Sequence, residues 1–112
     1  MSGAAIRHWR AQRITALVLV PLSLWFVNAV VSHLGQSRGQ IQDWLSQPLP
    51  TLLMTALVLA VFYHLVLGVR VVIEDYVSDP ARRARAIRWT YFAGLALTAI
   101  SLAAIATLGL GL

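Results

Sequence analysis

The chain has 112 residues, 59% of them hydrophobic and 12% charged, with a mean hydropathy of +0.75. A water-soluble domain of this size has too little polar surface to cover that much apolar material, so the class is integral membrane protein. All nine basic residues are arginine, the net charge is +5, and there is no cysteine, which excludes disulfides, thiolate metal sites, cysteine-held clusters and cysteine nucleophiles. The arginines flank apolar segments and form no basic stripe interleaved with exposed aromatics. They therefore read as topology determinants facing lipid, with no nucleic-acid partner.

Arg7, His8, Arg10 and Arg13 lead into a first apolar span, about Ile14 to Leu34. Its apolar run is too long for a signal-peptide core and no small-x-small site follows, so the span is expected to be retained. Too few residues precede it for a mitochondrial transit peptide, which favours a bacterial inner membrane. Pro21 lies inside this span and should remove one backbone hydrogen bond, giving a bend. The next connection holds Arg38 and Asp43, which cancel. There Ile41, Trp44 and Leu45 have i, i+3, i+4 spacing and predict a short interfacial helical turn with Trp44 at headgroup level.

Pro48 and Pro50 mark the entry to the second span, about Thr51 to Ile73. Asp79-Pro80 reads as N-cap and first residue of the third helix. The third apolar span is about Trp89 to Leu110, rich in Ala, Gly, Ser and Thr, which suits close helix packing. Each span has roughly the 20 residues that crossing requires, and in lipid each must satisfy its own backbone. The expected fold class is thus an all-α membrane protein with three transmembrane helices, one anchor domain over residues 1–112. Arg82, Arg83, Arg85 and Arg88 fill the second connection, so the positive-inside rule puts the N-terminus in the cytoplasm and the C-terminus in the periplasm.

The stretch His64 to Tyr76, HLVLGVRVVIEDY, carries the strongest chemical signal. At about 100° per residue, eleven steps return a helix almost to its starting direction, so His64, Gly68 and Asp75 share a stripe that rises roughly 16 Å. A histidine in mid-span is costly unless it is paired or ligated. Neutral imidazole is a good axial ligand for haem iron, and Gly68 removes a side chain where a flat macrocycle could lie; the alternative is a histidine hydrogen-bonded to a neighbouring helix. Tyr76 could donate to a quinone carbonyl while Asp75 orients it or relays protons, or both could be ordinary interfacial residues. Arg13 could pair with a haem propionate, line a quinone pocket, or serve only as a topology charge. Arg70 points away from the His64 stripe, so it is expected to snorkel, with Glu74 offsetting it at i+4. His33 and His8 are expected to be solvated or interfacial, and Ser23 and Asn28 to bond to backbone or a partner helix.

Two places, WRAQRITALVLVPLSLWFV and HLVLGVRVVIEDYV, together with the three-span layout, resemble the small hydrophobic membrane anchor of succinate dehydrogenase, respiratory complex II. This is the anchor that pairs with the cytochrome b556 subunit. The second motif, a histidine with glycine four residues on and Asp-Tyr eleven residues on, is the more specific. The resemblance implies a haem b shared with the sister anchor, with His64 as the axial iron ligand from this chain. It implies ubiquinone hydrogen-bonded by Tyr76 with Asp75 beside it, and Arg13 near a haem propionate. It also implies the partners: the cytochrome b556 anchor, the iron-sulfur subunit and the flavoprotein.

The expected function follows: a membrane anchor that helps bind haem b and ubiquinone at the cytoplasmic face and attaches the extramembrane subunits. The chain has no flavin or cluster motif, so no independent catalysis is expected and no catalytic residue is assigned. The rivals are a cofactor-free structural anchor and an anchor of fumarate reductase, whose direction of electron flow the sequence does not distinguish.

Overall fold

The structure is a computed structural model and describes residues 2–111. Four helices follow in order: α1 (Gly3–Ser32), α2 (Arg38–Leu45), α3 (Pro48–Tyr76) and α4 (Pro80–Leu110). Helices α1, α3 and α4 are each long and apolar enough to cross a membrane. The molecule measures 50 × 26 × 22 Å, and its long axis exceeds the ~30 Å hydrocarbon core of a bilayer.

The helices overrun the apolar spans at their polar ends. α1 starts at Gly3, not near Ile14, because Ser2 caps it by accepting a hydrogen bond from the Ala5 N–H at 3.1 Å. It continues through Pro21 to Ser32 without a break. α4 starts at Pro80, where Asp79 accepts from the Arg82 N–H at 2.9 Å, the cap expected from Asp79-Pro80. Between α1 and α2 the chain turns at Gly35, whose φ of 81° is open to glycine at no steric cost.

The short helix α2 covers Ile41, Trp44 and Leu45, where a helical turn was expected. It opens with a capping box, Ser37 accepting from the Gln40 N–H and Gln40 Oε1 accepting from the Ser37 N–H. Leu45 is buried, and Trp44 stacks on Trp25 of α1 at 6.1 Å and lies 4.2 Å from the His33 ring. His33 is half-buried: its ring Nδ1 donates back to the Ala29 carbonyl at 2.7 Å, closing the end of α1. Thr51 at the start of α3 donates to the Leu45 carbonyl and so ties α2 to α3.

α3 occupies the middle of the bundle and packs on α1 and α4, which do not pack on each other. Both pairs are antiparallel. Thr15 meets His64 and Gln12 meets Gly68 on one side, and Gly94 meets Val66 and Tyr91 meets Arg70 on the other. Val66 and Leu67 of α3, Leu22 and Ala29 of α1 and Ile105 of α4 are buried, while most other large apolar side chains are exposed. That outward apolar surface is what a bundle held in lipid presents. All the arginines but Arg38 fall at one end, made by the start of α1, the end of α3 and the start of α4.

Candidate functional site

His64 sits inside α3, roughly 24 Å along the helix from Pro48 and 18 Å from Tyr76. Both termini are therefore too distant to relieve it, and a polar ring at this depth needs a partner. α1 supplies one: Thr15 Oγ1 lies 2.9 Å from His64 Nδ1. The other ring nitrogen, Nε2, has no hydrogen-bond partner among the described residues. Beside the ring, Gln12, Leu65, Gly68, Val69 and Val72 join His64 around a cleft of about 300 Å³. A Cβ built on Gly68 would come no closer than 3.6 Å to any neighbour, that neighbour being Gln12 Nε2. Glycine is thus not forced here by helix packing; its missing side chain widens the cleft.

Gln12 also lines a second cleft of about 560 Å³, between the start of α1 and the end of α3, with His8, Trp9, Leu67, Arg70 and Glu74. Its Oε1 is buried with no hydrogen-bond partner, a costly state for an amide oxygen.

The remaining residues singled out by sequence lie elsewhere. Tyr76 is 83% exposed at the end of α3 and lines a cleft of about 400 Å³ at the α3–α4 turn, with Val77, Ser78, Asp79, Arg82 and Ala86. Asp75 is exposed and makes no hydrogen bond to Tyr76, as expected for neighbours that point to different faces of a helix. Arg13 is exposed, with its guanidinium 5.3 Å from the centre of the Trp9 ring, a cation–π distance. The chain alone therefore brings together His64 and Gly68, and leaves Arg13, Asp75 and Tyr76 facing outward. Among the described residues there is no group of three or more His, Asp or Glu side chains that could hold a bare metal ion; a single axial ligand to a macrocycle makes no such demand.

A family model described as succinate dehydrogenase/fumarate reductase transmembrane subunit matches residues 2–107. The succinate dehydrogenase hydrophobic membrane anchor subunit of Paracoccus denitrificans is 32% identical over 93% of this chain and 79% of its own length. The chain belongs to the family of succinate dehydrogenase hydrophobic membrane anchor subunits. Anchor subunits of the same name from Rickettsia bellii and Rickettsia conorii are 38% and 35% identical, each over 63% of this chain. The match spans a little over half, 57%, of the length of these two relatives. No solved structure gives a significant match. Three apolar helices and this family make the chain a multi-pass protein of a bacterial membrane.

Reading the anchor's sequence by residue type passed over three side chains that the fold makes important. Thr15 and Gln12 carry no signal of their own in the sequence; only the α1–α3 register brings them to His64 and Gly68. Arg83 read as a topology charge. It folds back to donate to the Val77 and Ser78 carbonyls at 3.1 and 3.0 Å, closing the end of α3. Arg70 pairs with Glu74 at 2.6 Å, as its i+4 spacing implied, and also donates to the Tyr91 hydroxyl of α4 at 3.0 Å.

Proposed function

We propose that this chain is the membrane anchor of a succinate:ubiquinone oxidoreductase, that His64 binds haem b through Nε2, and that Tyr76 and Asp75 face ubiquinone at the cytoplasmic surface. The observation that carries the reading is His64 itself: mid-helix, held at Nδ1 by Thr15, with its second nitrogen unpartnered beside a cleft. A purely structural histidine is served by its hydrogen bond to the neighbouring helix, but that bond uses one nitrogen of two.

The residues fit the group. His64 offers an imidazole nitrogen of the kind haem iron takes, and Gly68 leaves room one turn away. The cleft is open on one side and this chain has one mid-span histidine, so the second ligand and the far wall belong to the sister anchor, the cytochrome b556 subunit. When bound, haem would supply a centre that stores one electron.

The chain's own residues do the rest. Tyr76 donates its phenolic hydrogen to a quinone carbonyl, and the nearby Asp75 carboxylate takes up or delivers protons at the water-facing end. Arg13, about a turn above Trp9 and within reach of the same surface, offers a cation to a propionate or to the quinone headgroup. The arginine-rich end faces the cytoplasm by the positive-inside rule and docks the iron-sulfur and flavoprotein subunits. Succinate oxidation takes place in those partners.

The test is affinity purification of the complex through a tag on this chain, in mild detergent. Flavin, iron and a haem b reduced by dithionite should co-elute. Elution of the chain without haem would refute the cofactor role, and elution without flavin would refute the anchor role.

A further inference from the structure

The environment of Thr15 favours one of the two ways in which its hydroxyl and His64 Nδ1 can share a hydrogen. Its hydroxyl oxygen lies 2.7 Å from the Ala11 carbonyl, 3.1 Å from the Gln12 carbonyl and 2.9 Å from His64 Nδ1. A hydroxyl has one hydrogen to give, and carbonyl oxygens can only accept. With that hydrogen directed at the carbonyls of its own helix, the oxygen is left as an acceptor, and Nδ1 must carry the hydrogen between them. A neutral imidazole protonated on Nδ1 has its lone pair on Nε2. The two carbonyls also hold the Thr15 side chain in one rotamer, so the acceptor and the ring it orients are both fixed.

We propose that Thr15 is a positioning residue for His64: it holds the imidazole in the Nδ1–H tautomer, sets the angle of the ring about the helix, and raises the donor strength of Nε2 toward a metal in the cleft beside Gly68. The proposal rests on the haem reading above and goes beyond it by naming what tunes the ligand. Gln12, which shares the cleft, cannot replace Thr15, because no hydrogen bond joins it to the ring.

Thr15→Val keeps the branched shape and removes the acceptor; Thr15→Ser keeps the acceptor. The readouts, on the purified complex, are the haem midpoint potential, the low-spin ferric EPR g values and haem retained per flavin. An Nδ1–H without its acceptor donates less to ferric iron, so Thr15→Val should weaken ferric binding by about tenfold relative to ferrous, within the 10–100-fold effects typical of such second-layer contacts. For a one-electron couple, tenfold is a rise of about 59 mV. The g values should shift as the ring is freed, and Thr15→Ser should restore both.

Wild-type potential and g values in Thr15→Val would overturn the proposal. Should that variant fail to assemble, Thr15→Ala is read the same way. His64→Ala separates the two levels of the argument. If His64→Ala alters the spectrum while Thr15→Val does not, only the positioning role falls. If His64→Ala leaves the spectrum unchanged, the haem reading falls and this inference with it.

Discussion

Gly94 is the tightest point in the bundle, and replacing it should separate α3 from α4. Gly94 is buried in α4, and a Cβ built there would overlap Val66 Cγ2 of α3. Val66 is itself buried, and a β-branched side chain in a helix has little rotamer freedom, so it cannot swing aside cheaply. Overpacking of this kind costs about 1–3 kcal/mol. Alanine recovers some of it, since glycine in a helix interior is worse by roughly 0.5–1 kcal/mol. The net expectation for Gly94→Ala is a loss of about 0.5–2 kcal/mol. Gly109 in the same helix is the control: a Cβ there would stand 3.6 Å from the Leu45 carbonyl, an ordinary contact, so Gly109→Ala should be neutral or slightly stabilising. Adding Val66→Ala to Gly94→Ala removes the clashing methyls, and the double variant should be more stable than the sum of the two single changes, with a coupling of about 0.5–2 kcal/mol. Thermal denaturation of the purified complex, with the amount assembled in membranes as a second measure, reads all four variants. Equal behaviour of Gly94→Ala and Gly109→Ala, or additive Gly94 and Val66 effects, would refute the close approach of α3 and α4 at this level.

Tyr76→Phe deletes the hydroxyl but keeps the ring; it should lower succinate-to-quinone turnover by an amount on the order of 0.5–1.5 kcal/mol, while succinate oxidation by an artificial acceptor stays near normal. A parallel fall in both, or no fall at all, would remove Tyr76 from the quinone site. A periplasm-active reporter fused after Gly111 should be active and one fused after Arg83 silent; the reverse pattern would invert the proposed orientation. Trp44→Ala strips the ring that lies between Trp25 and His33, and should loosen α2 by about 1–3 kcal/mol without moving the haem spectrum. Protease sensitivity of the loop around Gly35 measures it, and unchanged protection would show that the stack contributes nothing.

Features written in local chemistry were readable from the chain: the three spans, the amphipathic turn at Ile41, Trp44 and Leu45, and the Asp79-Pro80 start of α4. Each depends on composition or on residues within one turn of one another. The early start of α1 escaped because Arg7, His8, Arg10, Gln12 and Arg13 break up the apolar residues of its first three turns, so hydropathy marks the span and not the helix; Ser2 was the available signal. His64 and Gly68 stood out because their own helix spacing aligns them. Thr15 and Gln12 did not, because nothing in α1 itself records that it lies antiparallel to α3 in the register that brings residue 15 to residue 64. Threonine in a membrane helix usually bonds its own i−4 carbonyl, as Thr15 also does, which hides the second contact. Arg83 was hidden for a related reason: a charge at a span boundary satisfies the topology rule whether or not it also caps a helix.

The central claim is that His64 ligates haem b, and the most direct measurement is the dithionite-reduced minus oxidised spectrum of the intact complex carrying His64→Ala beside the wild type. The wild type should show the sharp bands of a six-coordinate low-spin haem b. In His64→Ala these should be lost, or replaced by those of a haem with one protein ligand, while flavin content and succinate oxidation by an artificial acceptor persist in the partner subunits. An unaltered low-spin spectrum in His64→Ala would contradict the claim, and would return His64 to the role of a histidine held to Thr15 for packing alone.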